Sequence, residues 1–182
     1  MLRISGGYLK GRYIVVKSNS LKPTSETVRQ ALFNSIDVVS SSFLDMFCGS
    51  GIVGIEAISR GASYVCFVEK SNNLTRQLTK NLSSLGINNS SYSLITNTWS
   101  SAIKLLETKN LKFDYIFADP FYDFKEYTDL ILKLGALCNT NTIVIIEYSS
   151  RNKIEIPEDV RVIQSKNYGE TRLDFLTFSH SY

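Results

Sequence analysis

The sequence contains few of the residues that build metal sites and disulfide frameworks. Its 182 residues include one histidine and three cysteines. Cys48, Cys66 and Cys138 lie far apart without metal-ligand spacing, which favours reduced thiols in the cytoplasm over a zinc site or paired disulfides. The single histidine, His180, offers no clear partner for a Cys–His nucleophile pair. We therefore expect no metal, and we interpret Cys48 as a packing residue.

The sequence predicts neither a membrane-spanning segment nor an export segment. No stretch approaches the roughly 18 uncharged apolar residues that cross a bilayer, and residues 1–7 contain no apolar signal core. Apolar residues make up 43% and charged residues 20% of the chain, as in ordinary globular proteins. We expect a cytoplasmic protein without membrane contact, and nothing in the pattern demands more than a monomer.

Acidic side chains are scarce near the N-terminus. Residues 1–29 contain six basic side chains against Glu26 alone, so this segment carries +5 within a net charge of +3. A basic arm on a nearly neutral body suits a phosphate-backbone partner, although a solvated flank has the same composition. The basic residues are Arg3, Lys10, Arg12, Lys17, Lys22 and Arg29.

Residues 1–40 are predicted to form an extension ahead of the main fold. Residues 2–5 and 12–16 flank glycines at which the chain can turn, which is typical of a small β-hairpin. A helix is expected to follow, because Thr24 is a suitable N-cap and apolar residues recur at helical spacing after it. We interpret residues 1–182 as one domain, in which residues 41–182 form the core.

From residue 42 onward, apolar strands alternate with amphipathic helices. Strands are predicted at 43–47, 64–68, 92–96, 113–118 and 142–148, with helices at 52–60, 73–85, 100–107 and 124–137. This alternation predicts an α/β fold with a doubly wound parallel sheet and helices on both faces. Two further strands at 161–166 and 172–178 predict a closing antiparallel hairpin, giving a seven-stranded, mostly parallel sheet.

Polar residues follow the predicted parallel strands at the sheet edge where such folds bind ligands. After the first strand, Gly49, Gly51 and Gly54 form a G-x-G-x-x-G pattern that opens a helix. Glycines let the backbone approach a ligand, and the helix N-terminus offers free N–H groups. Glu69 ends the second strand, where it could accept hydrogen bonds from ribose hydroxyls. These features fit a dinucleotide and S-adenosylmethionine equally well.

The segment Asp119-Pro120-Phe121-Tyr122, after the fourth strand, favours amine methylation. An exocyclic base amine is not basic, because its lone pair is delocalised into the ring. The Asp119 carboxylate and the Pro120 carbonyl could accept its two N–H groups and so direct the lone pair towards an electrophilic methyl group. Tyr122 or Phe121 could stack on a base drawn out of its helix. About forty residues precede the glycine loop, whereas a dinucleotide domain normally begins at that loop.

With these features, the chain resembles the RsmD family of small-subunit ribosomal RNA guanine-N2 methyltransferases. The similarity covers nearly the whole chain and includes residues 3–7 (RISGG), 22–24 (KPT), 45–56, Asp119-Pro120, Glu147 with Ser149, and the closing Tyr168-Gly169-x-Thr171. It implies a Rossmann-like class I methyltransferase fold. It also implies that S-adenosylmethionine is bound by Asp45, Phe47, Gly49, Ser50, Gly51, Glu69, Lys70, Asn97 and Thr98.

The same resemblance implies the reaction and its partner. Catalysis would rest on Asp119, Pro120 and Tyr122, and the target would be the N2 amine of guanine 966 in 16S ribosomal RNA. The substrate would be one of three forms: naked RNA, the small ribosomal subunit or an assembly intermediate of that subunit. The residues implied to bind RNA are Arg3, Lys10, Arg12, Lys22, Thr24 and Arg29.

One departure from the family keeps other functions open. Phe121 stands where the family pattern, Asn or Asp followed by Pro, Pro and an aromatic residue, has its second proline. An RNA-binding assembly factor without turnover is therefore one alternative. An adenine-N6 methyltransferase of DNA or RNA is another, since the same acceptors suit that amine. A nicotinamide-dependent reductase would account for the glycine loop only.

Overall fold

Two sheets organise the residues that the computed structural model describes, 1–17 and 23–179. The smaller sheet pairs β1 (Leu2–Arg3) with β2 (Tyr13–Ile14) in antiparallel orientation. Gly7 and Gly11 turn the chain between the two strands with φ angles of 75° and 88°, which glycine adopts without steric cost. The predicted N-terminal hairpin is confirmed, with shorter strands than the sequence indicates.

The larger sheet has seven strands in the order β5-β4-β3-β6-β7-β9-β8. Strands β3 to β7 are parallel, and β9 pairs antiparallel with both β7 and β8. The predicted mostly parallel sheet with a closing antiparallel hairpin is therefore confirmed. The strands are β3 (Ser42–Met46), β4 (Tyr64–Glu69), β5 (Tyr92–Thr96), β6 (Phe113–Ala118), β7 (Cys138–Ser149), β8 (Val160–Tyr168) and β9 (Thr171–Phe178).

Helices cover both faces of this sheet, as the alternating pattern predicts. On one face, α1 (Glu26–Phe33), α2 (Ile52–Ser59) and α3 (Asn72–Ser84) contribute to an apolar cluster that also includes the N-terminal hairpin. On the other face, α4 (Trp99–Thr108) and α5 (Tyr127–Leu134) build a second cluster. Within the described part of the chain, no helix combines the length and apolar character needed to cross a bilayer.

α3 and α4 each begin one residue earlier than predicted, and the starts of α1 and α5 also differ from their prediction. α1 is capped by Ser25, whose side chain accepts a 3.2 Å hydrogen bond from the Val28 backbone N–H, so the expectation that Thr24 is the N-cap is wrong. α5 begins at Tyr127 instead of residue 124. The backbone N–H of Phe124 donates to the Phe121 carbonyl at 2.9 Å in a turn before the helix.

A buried ion network fixes α1 to α2. Nε of Arg29 lies 3.1 Å from Oε2 of Glu56, and both side chains are almost fully buried. Arg29 also donates to the backbone carbonyls of Thr24 at 2.7 Å and Arg3 at 2.8 Å, while Arg60 contacts the other Glu56 oxygen at 2.9 Å. Because the Arg29 guanidinium is enclosed in this way, a direct contact with RNA phosphates is unfavourable.

Candidate active site

A cleft opens where the strand order reverses between β3 and β6. From these two central strands the chain continues outward in opposite directions, to β4 and β5 on one side and to β7 on the other. Open α/β sheets bind ligands at the carboxyl ends of the strands at such a point. The cleft has a volume of about 1350 Å³, which exceeds the usual range for a single small-ligand pocket. It therefore has room for a nucleoside-sized ligand together with a second group.

The loop after β3 turns tightly around the side chain of Asp45. Oδ2 of Asp45 accepts a 2.8 Å hydrogen bond from the backbone N–H of Gly54, in the first turn of α2. Gly51 precedes the helix in a left-handed conformation, with φ of 76°. A Cβ on Gly54 would lie only 2.3 Å from the Phe67 ring. The G-x-G-x-x-G spacing thus lets α2 start directly against the sheet, with its N-terminus at the cleft.

The carboxyl group of Asp45 is buried among other acids. Its pKa is raised to about 8, and burial is the largest cause; the hydrogen bond from Gly54 opposes the rise, while the charges of Asp119 and Glu69 add to it. The ionised form is therefore disfavoured near neutral pH in the free protein. A positively charged ligand in the cleft would favour that form instead.

Glu69, at the end of β4, holds the glycine loop and lines the cleft. Its Oε2 accepts a 3.1 Å hydrogen bond from the Gly49 backbone N–H, and its Oε1 accepts one of 2.8 Å from Ser71. Each carboxylate oxygen has a second lone pair, so these contacts leave acceptor capacity for ribose hydroxyls. The backbone N–H of Asn97, after β5, donates to the Glu69 carbonyl at 3.1 Å, and Thr98 caps α4.

Aromatic rings pack behind the loop that follows β6. The Phe124 ring meets those of Phe47 at 5.5 Å, Phe121 at 5.5 Å and Trp99 at 6.0 Å, all in edge-to-face geometry. Nζ of Lys70 lies 4.7 Å from the centroid of the Phe121 ring. Side-chain packing therefore holds the loop at Phe121, where a second proline would restrict the backbone.

The candidate acceptors of an amine lie at the end of β6. The hydroxyl of Thr24 donates to Oδ2 of Asp119 at 3.3 Å, and Pro120 is buried against the sheet edge. Tyr122 is 84% exposed and lines the mouth of the cleft. Asp119, Pro120 and the aromatic residue Tyr122 thus border the same space.

Most of the predicted ligand-binding residues line this one cleft. Gly51 is the exception among the predicted cofactor residues, because it shapes the loop from behind. The predicted residues that line the cleft are Asp45, Phe47, Gly49, Ser50, Glu69, Lys70, Asn97, Thr98, Asp119, Pro120 and Tyr122, and Thr24 joins them.

The predicted RNA-binding residues are distributed differently. Arg3 and Lys10 are exposed on the N-terminal hairpin. The Arg12 guanidinium donates to the carbonyls of Leu85 and Ser84 at 2.9 Å each, so it caps the end of α3 while remaining exposed. Thr24 is buried and bonded to Asp119, which makes a direct contact with an RNA phosphate unfavourable. Lys22 lies outside the described residues.

A buried acidic residue in the cleft was not among the predicted site residues. Glu147 lines the cleft near the end of β7 and is 8% exposed. Glu147 lies inside a predicted strand, whereas the predicted ligand-binding residues were sought after the ends of strands. The available signal was a single acid in residues 143–148, whose five other residues are apolar or aromatic.

Other chemistries find little support in the described part of the chain. No group of three or more His, Cys, Asp or Glu residues within 1–17 and 23–179 has the arrangement of a metal site. Cys48 is buried in the glycine loop, and burial together with the charge of Asp45 raises the pKa of its thiol well above the ordinary value. The thiolate needed for nucleophilic attack is therefore disfavoured.

The sheet order, the helices on both faces and the ligand cleft at the switch point define the class I methyltransferase fold. The family model described as Conserved hypothetical protein 95 matches residues 2–177. The chain therefore belongs to this family, the RsmD family.

Curated relatives and solved structures agree with this assignment. Ribosomal RNA small subunit methyltransferase D of Buchnera aphidicola is 34% identical over 170 residues, covering 90% of this chain and 86% of that protein. Its Haemophilus influenzae counterpart is 30% identical over 173 residues, covering 92% and 89%. The solved structure of yhhF from Escherichia coli has a TM-score of 0.86 at 24% identity and covers 99% of both chains. HI0767 from Haemophilus influenzae has a TM-score of 0.79 at 27% identity, covering 96% and 97%.

Proposed function

We propose that this protein transfers a methyl group from S-adenosylmethionine to the N2 amine of a guanine in 16S ribosomal RNA. The observation that carries the proposal is that Asp45, Glu69 and Asp119 line one cleft at the switch point of a methyltransferase fold. The first two lie beside the glycine loop, and the third begins an Asp-Pro segment beside an exposed aromatic ring. A cofactor half and an acceptor half thus share one space.

The cofactor half fits S-adenosylmethionine. Glu69 and the N-terminus of α2 offer acceptors and donors for ribose hydroxyls and a carboxylate. Asn97 and Thr98, which line the same cleft, would contact the adenine. Burial raises the pKa of Asp45, and a cationic ligand beside it would favour its ionised form. Bound S-adenosylmethionine supplies an electrophilic methyl group on a sulfonium.

The acceptor half binds and orients the base. Asp119 and the Pro120 carbonyl accept the two N–H groups of the amine, which directs its lone pair towards the methyl group. Tyr122 stacks on the flipped base and keeps it in that position. The amine proton leaves after or during transfer, with Asp119 as the adjacent acceptor. Catalysis by this constellation is mainly positioning and electrostatic stabilisation.

The substrate assignment is supported by the relatives and by the charge distribution. Two relatives that match about nine-tenths of this chain are named ribosomal RNA small subunit methyltransferase D. Arg3 and Lys10 lie exposed on the N-terminal hairpin, where they can contact phosphates around the target. We propose the small subunit or its assembly intermediate as the partner, a monomeric cytoplasmic enzyme, and guanine 966 as the nucleotide.

Transfer of labelled methyl groups tests the proposal. Labelled S-adenosylmethionine is incubated with unmodified small-subunit particles and, in parallel, with naked 16S RNA. We expect label in at least one of these substrates, and its loss with Asp119→Ala. A folded protein that binds S-adenosylhomocysteine but labels neither substrate would instead support an assembly factor without turnover. A protein that binds a nicotinamide dinucleotide in its place would support the reductase.

A further inference from the structure

Glu147 is a buried carboxylate on the acceptor side of the cleft. Its strand, β7, lies between β6 and β9 in the interior of the sheet, and its side chain is 8% exposed. It nevertheless lines the same cleft as Asp119 and Tyr122. Burying a carboxylate between two strands is costly unless it is hydrogen-bonded or paired. Hydrogen bonds from a bound base would therefore stabilise Glu147.

Strand register places Glu147 beside Asp119. Ala118 of β6 pairs with Ile146 of β7, so the next residue on each strand, Asp119 or Glu147, lies at the same level of the sheet edge. Adjacent strands are about 4.8 Å apart. Two residues earlier, Phe117 and Ile145 both pack in the apolar cluster beneath α1 to α3. Because side chains alternate along a strand, Glu147 faces the same side as these two residues.

This arrangement suits one edge of one base. The Watson–Crick edge of guanine carries the N1–H donor next to its N2 amine, and enzymes that flip a base read it along that edge. An ionised carboxylate only accepts hydrogen bonds. Adenine has an unprotonated N1 next to its N6 amine. The lone pair on this N1 would repel a carboxylate in the same position.

We propose that Glu147 accepts the N1–H of the target guanine while Asp119 accepts from its N2 amine. Glu147 is then the specificity-determining residue that selects guanine over adenine, and this inference rests on the function proposed above. Guanine gains a charge-assisted hydrogen bond, whereas a base with unprotonated N1 meets a repulsion, and specificity commonly uses both elements.

A purine that keeps the N2 amine but lacks O6 and the N1–H tests this role, together with a variant of Glu147. The segment of 16S RNA that contains the methylated guanine is synthesised with guanosine or 2-aminopurine riboside at that position and ligated into the full RNA. 2-Aminopurine keeps the N2 amine but has an unprotonated N1. We expect kcat/KM of the wild-type protein to be at least about tenfold higher for guanosine.

The variant Glu147→Gln should change this preference. A glutamine amide can donate to an unprotonated N1 or accept from N1–H, so the ratio of the two kcat/KM values should fall about tenfold. Glu126→Gln is the matched control, because Glu126 lines the same cleft but is exposed. It should leave the ratio unchanged. Thermal unfolding of each variant confirms that it is folded.

The outcomes separate this role from a structural one. Equal use of guanosine and 2-aminopurine by the wild-type protein overturns the role of Glu147 without any variant. A Glu147→Gln protein whose activity falls equally on both substrates also overturns it, because a merely structural residue acts in that way. A wild-type protein that methylates neither RNA overturns the proposed function together with this inference.

Discussion

The hydroxyl of Thr24 donates a 3.3 Å hydrogen bond to Oδ2 of Asp119, across 95 positions of sequence. The N-terminal extension thereby contacts the candidate catalytic carboxyl group directly. Thr24 is itself held, because its carbonyl accepts from the buried Arg29 guanidinium at 2.7 Å. The extension is thus connected to both the core and the acceptor half of the cleft.

Removal of the Thr24 hydroxyl should impair catalysis more than folding. Thr24→Val keeps the size of the side chain but loses the donor to Asp119, so we expect kcat to fall about tenfold. Thr24→Ser keeps the donor and should retain most of the activity. Steady-state methyl transfer with both variants measures the difference. Equal activities of the two variants would contradict this positioning role.

The stability of the protein should depend on pH through Asp45. The folded pKa is raised from 3.8 to about 8, so the folded state holds a proton that the unfolded chain releases near pH 4. The bound proton on Asp45 therefore stabilises the folded state. This contribution to the free energy of unfolding is fully present below about pH 4 and is lost as pH rises to about 8.

Asp45→Asn isolates this contribution. Asparagine keeps an acceptor for the Gly54 N–H but does not titrate, so the wild type should lose stability relative to the variant as pH rises. The limiting slope is about 1.4 kcal/mol per pH unit. Urea unfolding of both proteins at pH 5 and pH 8 measures it. If the difference in stability between the wild type and the variant is the same at both pH values, Asp45 titrates normally.

Arg29 should matter for stability, in contrast to its predicted RNA contact. Arg29→Met leaves the buried Glu56 with Arg60 as its remaining basic partner, and we expect a loss of about 3 kcal/mol in the free energy of unfolding. The exposed Lys10 provides the comparison, since Lys10→Met should change stability by less than about 0.5 kcal/mol and weaken RNA binding. Chemical unfolding and RNA titrations with both variants separate the two effects. An Arg29→Met protein of normal stability with weakened RNA affinity would instead support the predicted RNA contact of Arg29.

Glu69 should control cofactor affinity. Glu69→Ala removes the acceptor of the Gly49 N–H and the proposed acceptor of ribose hydroxyls, so the Kd for S-adenosylhomocysteine should rise about ten- to a hundredfold. Glu107→Ala, on the exposed side of α4, is the control and should bind normally. Isothermal titration calorimetry gives both constants. Unchanged affinity in the Glu69 variant would move the ribose site elsewhere in the cleft.

The order of strands and helices could be predicted because local patterns determine it. The predicted and observed bounds coincide for β5 and β6, whose apolar runs end at polar residues. β7 is longer than predicted because polar residues at its start resemble a loop. There the Thr142 hydroxyl donates to the Phe113 carbonyl at 2.6 Å and accepts from the Asn139 N–H at 2.7 Å, and local sequence does not reveal these partners.

The parts of the site that sequence did not reveal depend on long-range contacts. Arg29 resembles any basic residue of a surface helix until its partner, Glu56, is placed 27 positions away. Thr24 resembles a helix cap, whereas its hydroxyl contacts Asp119. Glu147 belongs to a strand, and only the register with β6 brings it beside Asp119. Strand-end residues were easier to identify, because parallel strands present their carboxyl ends at one edge.

The most direct test of the central claim is the identity of the methylated nucleoside. 16S RNA from unmodified small subunits is treated with the protein and S-adenosylmethionine, digested to nucleosides and separated by liquid chromatography with mass spectrometry. The account predicts N2-methylguanosine, absent when Asp119→Ala replaces the wild type. N6-methyladenosine, or no methylated nucleoside from a folded and cofactor-bound protein, would contradict it.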